Sequence, residues 1–114
     1  MKTTALVVLD LSQLRDVTMN DSALMREVVD SLLTNASEQI EALRIALDRA
    51  DARECRRLAH GLIGACGNVG AASMAAVSSS LEHYASAGDL DMCRSSVKQL
   101  LAEVEKLRTE AGAI

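Results

Sequence analysis

At 114 residues and 12.1 kDa the chain is large enough to bury one core without metal or disulfide staples, and too small for two domains. It lacks proline, tryptophan and phenylalanine, and it is dominated by Ala, Leu, Val, Ser and charged residues, a composition that favours helices over strands. A net charge of −4 and an aromatic content of 1% argue against nucleic acid, which calls for a basic field and rings on which bases stack.

Residues 1–9 carry only an apolar run at residues 5–9, too short for a signal sequence or a membrane span; they are read as a leader or linker, with the apolar run either packed against the domain or part of a link to something upstream. The domain proper is expected over residues 10–112. Asp10 suits the N-cap of a short helix in which Leu11, Leu14 and Val17 repeat every three residues, and Asn20-Asp21-Ser22 supplies a turn and the next cap. From Asp21 the positions Met25, Val28, Val29, Leu32, Ala36, Ile40, Leu43 and Leu47 keep one face apolar. They predict a helix about 40 Å long. Asp51 caps a further helix, with Glu54 in its first turn, that runs to the turn signals at Gly67, Asn68 and Gly70. A helix with Met74, Val77, Ser78, Leu81 and Ala85 inward then stops at Gly88. Asp89 caps the last, whose Leu90, Cys93, Val97, Leu100, Val104, Leu107 and Ala111 form a 3-4 seam. Short connections make neighbours antiparallel, so the expected fold is all-α: an up-down-up-down four-helix bundle with a short N-terminal helix. Four seams in one chain favour intramolecular closure and a monomer. The seam of the last helix is the one that could instead pair two copies.

The chemistry concentrates in residues 53–70. Cys55, Leu58, Ala59, Leu62, Ala65, Cys66 and Val69 fall on one stripe of this helix, and His60 lies about 160° from Leu62 on the water side. Around His60 stand Arg53, Arg56 and Arg57, together with Gly64 and Gly67. Gly61, Gly64 and Gly67 cost the helix about 3 kcal/mol against alanine, a penalty that a purely structural helix has little reason to carry. The pattern suggests a nucleophilic imidazole that is open to a large partner, among cations suited to an incoming phosphate. His83 has no such company. Metal binding is disfavoured because His60 and Cys66 point to opposite sides of the helix. No nucleotide-binding GxxxxGK[ST] or GxGxxG motif is present, so the chain alone is no kinase. Three cysteines, two of them on the core stripe, fit buried reduced thiols and a cytoplasmic setting.

The run Ala59-His60-Gly61-Leu62-Ile63-Gly64-Ala65-Cys66-Gly67-Asn68-Val69-Gly70-Ala71 resembles the signature of histidine-containing phosphotransfer (HPt) domains, roughly AHxLKGxxxxxGA. Leu9-Asp10 with Leu14 resembles the family's opening segment and Leu81-Glu82 its Leu-Glu in the following helix, so the likeness spans residues 9–110. It implies a phosphocarrier without its own kinase activity: His60, through Nε2, takes a phosphoryl group from the aspartyl phosphate of one receiver domain and passes it to the aspartate of another. Gly64 and Gly67 would admit the receiver, Gly70 would serve the turn, and Glu82 would orient the imidazole. By residue pattern alone, Glu82 is a boundary carboxylate. No cofactor belongs to the chain itself, and the receiver would bring Mg2+ and its acidic pocket. The expected partners are response-regulator receivers and a histidine kinase, the chain being either free-standing or the C-terminal part of a hybrid sensor kinase; neither nucleic acid nor membrane is expected. One departure stands out. Ile63 occupies the position where the family usually has lysine, which leaves Arg56 or Arg57 to supply the missing cation, or Ile63 to pack against the receiver. The competing expectation is a degenerate bundle that binds a receiver without carrying phosphate.

Overall fold

The computed structural model describes residues 7–114. Five helices follow one another as α1 (Leu11–Thr18), α2 (Ser22–Asp48), α3 (Ala52–Val69), α4 (Ala72–Ser86) and α5 (Leu90–Ala111), and there is no strand among the described residues. Helices α2 to α5 pack as a cycle, each against the one before it and α5 back against α2, while α1 lies across α2 and α3. This is the antiparallel bundle that the periodicity predicts. The turns at residues 49–51 and 87–89 mark one end; the α3–α4 turn, the start of α2 and the end of α5 mark the other.

Local chemistry explains most boundaries. Asp10, Asp21, Asp51 and Asp89 each accept a hydrogen bond from the backbone N–H three residues on, all at 3.1 Å, which satisfies one of the orphan donors of each helix start. Helix α3 ends on Gly70 at φ +82, where glycine serves a second purpose as well. A Cβ at Gly70 would come within 3.1 Å of the Asp10 carbonyl oxygen, and Asp10 N–H donates to the Gly70 carbonyl at 2.8 Å. Helix α4 has no side-chain cap. Its first turn is held from outside instead: Ser73 N–H donates to the Val7 carbonyl at 2.9 Å, and Ser73 Oγ donates to Glu103 at 2.6 Å. Lys106 takes the other oxygen of Glu103 at 3.2 Å, so this buried carboxylate is satisfied on both sides.

A single core runs the length of the bundle, with Leu14, Leu43, Leu62, Met74, Leu81, Leu100 and Leu107 fully buried. Two expectations need correction. In α1 the inward residues are Leu14 and Thr18, whereas Leu11 and Val17 are exposed; Thr18 is tolerated because its hydroxyl donates to the Leu14 carbonyl at 2.7 Å. Ala65, read as core, is only half-buried at the edge of α3 that borders α2, and Val28, Val77 and Leu90, read as inward, are likewise half-buried against the margin of the core. Ala5 and Leu6 of the apolar run lie outside the described residues, while Leu9 is buried in the core. All three cysteines are free and buried. Burial pushes the Cys55 and Cys66 thiols up to about 11 and raises that of Cys93 as well. At the α2 start, Arg26 Nη2 donates to the carbonyls of Ala111 and Ile114 at 3.3 and 3.4 Å, tying the C-terminal turn to that end of the bundle.

Candidate functional site

Helix α3 presents two faces of opposite character. Cys55, Leu58, Ala59, Leu62, Cys66 and Val69 are buried, as the periodicity predicts. The other face carries His60, whose side chain is 77% exposed, together with Arg53, Arg56, Arg57 and the glycines at 61, 64 and 67. A Cβ built on any of these three glycines meets nothing within 4 Å. Their roughly 3 kcal/mol helix penalty therefore has no intramolecular explanation among the described residues, since neither a close approach nor a left-handed backbone requires them. What the missing side chains leave is a smooth strip of exposed backbone running away from His60 along α3.

Helix α4 supplies the group that fixes the imidazole. Glu82 Oε2 lies 2.8 Å from His60 Nδ1, across 22 residues of sequence. A carboxylate oxygen accepts, so the neutral ring must carry its proton on Nδ1. The lone pair is then on Nε2, at the solvent edge of the ring. Glu82 itself is largely shielded, with 27% of its side chain exposed, which restricts the directions in which it can hold the ring.

The three arginines are not equivalent. Arg57 is bound by both oxygens of Glu54, with Nε donating at 2.8 Å. That bidentate pair holds the Glu54 carboxyl below its ordinary range and raises Arg57. Arg53 and Arg56 are exposed and pair with no carboxylate among the described residues. All three arginines line an open groove of about 630 Å3 whose wall also includes His60, Glu82, Glu54 and Asp51. The α3 side of the groove therefore carries two guanidiniums without a carboxylate partner among the described residues, beside the Glu54-Arg57 pair and Asp51, and its α4 side carries one shielded carboxylate. Ile63 is half-buried and belongs neither to the core nor to this groove.

Gln13 of α1 is a site neighbour that no sequence pattern indicated. Its amide donates to the Gly67 carbonyl at 2.6 Å, across 54 residues, and so pins the far end of the glycine strip to α1. The described residues contain no group of three or more His, Cys, Asp and Glu side chains placed to hold a metal ion. No helix among them is long and apolar enough to cross a membrane.

Residues 27–110 match the sequence profile of the Hpt domain. The chain belongs to the Hpt domain family. Its fold is similar to the crystal structure of histidine-containing phosphotransfer protein B (HptB) from Pseudomonas aeruginosa PAO1, with a TM-score of 0.86 over 96% of this chain and 95% of that one, at 24% identity. It is also similar to the X-ray structure of a rice protein described as a histidine-containing phosphotransfer protein, with a TM-score of 0.82 over 93% of this chain and 78% of that one, at 17% identity. At these identities the likeness establishes the Hpt fold and leaves roles to be argued from the side chains. No curated protein shows a significant match to the chain.

Proposed function

We propose that this Hpt domain is a phosphocarrier of a two-component phosphorelay, and that His60 Nε2 is the phosphoacceptor. The observation that carries this reading is the 2.8 Å contact between His60 Nδ1 and Glu82 on a ring that is 77% exposed. It presents the Nε2 lone pair to solvent in the tautomer able to attack phosphorus. The pair forms an N–P bond as the acyl P–O bond of a receiver's aspartyl phosphate breaks, and the aspartate leaves with the bonding electrons. The Nδ1 proton stays on the ring. There it is shared with Glu82, which stabilises the positive charge that develops on the imidazole.

Such a transfer needs alignment and charge neutralisation more than a catalytic pocket, and a convex helix provides only the first of these in full. The remaining groups, including Mg2+ and an acidic cluster, belong to the receiver in this reading. Gly64 and Gly67, with Gly61 beside them, form the strip on which the receiver's loops rest. Ile63 contributes half-buried apolar surface at its margin. The Glu54-Arg57 pair belongs to the first turns of α3 and lies outside the transfer machinery. The domain acts as a cytoplasmic monomer without a nucleotide site, serving a receiver and a histidine kinase on the same or a separate polypeptide.

The test is direct. Incubation with a receiver charged by acetyl phosphate should place an acid-labile, base-stable phosphoryl group on the chain, and His60→Gln should abolish it. Label that persists in His60→Gln removes the assignment. A chain that binds a receiver and is never labelled is instead an interaction module.

A further inference from the structure

The arginine that neutralises the transferred phosphoryl group can be identified from two independent features of the site, given the phosphocarrier reading on which this inference rests. The first is angular position. Successive residues turn about 100°, so Arg56 stands about 40° from His60 on the side of α4, and Arg57 about 60° from it on the side of α2. The grooves agree with this placement. Arg57 shares the His60 groove, but only Arg53 and Arg56 also line a second depression with Ala85, Ser86 and Gly88 of the α4 end, whereas Ala65 and Asn68, on the other flank of α3, line a depression with α2. Glu82 draws the imidazole toward α4, the side on which Arg56 stands. Helical side chains also lean toward the N-terminus, so the His60 ring covers the turn that contains Arg56 rather than the turn that follows it.

The second feature is competition. Glu54 holds the Nε–Nη2 edge of the Arg57 guanidinium with both carboxylate oxygens, and a phosphoryl group would have to displace a bidentate carboxylate to use that edge. Arg56 faces no such competitor among the described residues. Arg53 likewise pairs with no carboxylate among the described residues, but it lies one turn farther from His60 along α3.

The geometry points to Arg56 as the cation that receives the phosphoryl oxygens on His60 Nε2, with Arg57 committed to Glu54. A guanidinium one turn before the histidine, on its α4 side, thus supplies the charge that the apolar Ile63 cannot.

Phosphoramidate is a suitable probe because it needs no partner: its P–N bond breaks as the Nε2–P bond forms, and ammonia leaves. The rate of phosphohistidine formation is followed on the full chain by mobility shift and 31P NMR, in low and high salt. Arg56→Ala should slow labelling about five- to tenfold, and most of the salt dependence of the rate should disappear with it. Arg57→Ala should change the rate by less than about twofold. Arg56→Lys, and the pair Arg56→Ala with Ile63→Lys, should restore most of the rate, because each returns a cation to the α4 side of the histidine. Helical content and Tm should be the same in all variants. Equal losses for Arg56→Ala and Arg57→Ala, or an Arg56→Ala rate within twofold of the unmodified chain, would overturn the assignment; so would failure of both lysine variants to restore the rate. A chain that acquires no phosphohistidine from phosphoramidate or from a charged receiver would instead overturn the function on which the inference rests.

Discussion

Replacing Gly64 by alanine should make this protein more stable and worse at its task. The added Cβ meets nothing within 4 Å, so no clash offsets the gain in helix propensity of about 1 kcal/mol. With 114 residues and about 2.1 cal/mol/K of unfolding entropy per residue, ΔS at the midpoint is about 240 cal/mol/K, so Tm should rise by about 4 °C. The triple variant Gly61→Ala, Gly64→Ala, Gly67→Ala should gain about 3 kcal/mol and about 12 °C by the same arithmetic. On the proposed function, a methyl that is free in the isolated chain would become an overpacked contact when a receiver closes on α3. Overpacking costs about 1 to 3 kcal/mol, which corresponds to a fall of about fivefold or more in the second-order transfer rate from a charged receiver. Thermal unfolding by circular dichroism and single-turnover transfer, measured on the same samples, give both numbers. A Tm that stays level or falls would show that the glycines serve the fold; a higher Tm with undiminished transfer would show that the strip is not where the receiver rests.

Two other perturbations probe separate parts of the structure. Glu82→Gln keeps the size of the side chain but removes the charge beside Nδ1, and should slow phosphoryl transfer about tenfold or more with Tm unchanged; a rate within twofold would mean that the 2.8 Å contact does not hold the catalytic tautomer. The buried thiols make stability fall at high pH. Cys55 and Cys66 are held protonated up to about 11 in the fold against an ordinary value of 9.0, so from about pH 9 to about pH 11 the unfolded chain binds fewer protons than the folded one. Stability should therefore be intact below pH 9 and decline through that window in denaturant titrations. The Cys55→Ala, Cys66→Ala pair should lose most of this thiol-linked decline, keeping only the part due to Cys93, whose thiol burial also raises.

How far the sequence reveals the molecule depends on the range of each interaction. The aspartate caps were legible because an N-cap and its backbone donor are three residues apart, and the core stripe of α3 followed from helical geometry. The outward position of the glycines was legible on the same grounds, but the emptiness around them was not, since it depends on where α2 and α4 lie. Helix α1 misled because its valine looks more like core than Thr18, whose hydroxyl is neutralised within its own turn. The contact of Glu82 with His60 spans 22 residues, and residue pattern alone placed that carboxylate at a boundary; only the family resemblance connected the two. Gln13 and Glu103 had no signal at all, because a single amide or carboxylate has no periodicity. Arg57 is the instructive case. Its pairing with Glu54 is an i,i+3 contact within reach of sequence reasoning, yet Glu54 suits the helix dipole equally well, and only coordinates show which role takes the side chain.

The hydrogen bonds that fasten Asp10 to Gly70 and Arg26 to Ala111 and Ile114 bring both ends of the described chain to one pole of the bundle. His60 stands nine residues before the end of α3 at Val69, about 14 Å along the axis from that pole. A receiver tethered there, at either terminus, could reach the imidazole with a flexible linker of a few tens of residues and would meet it at millimolar effective concentration. The opposite pole, with the α2–α3 and α4–α5 turns, would stay free. Tethering at one pole would thus bias which of two competing receivers is served first without altering any contact at the histidine.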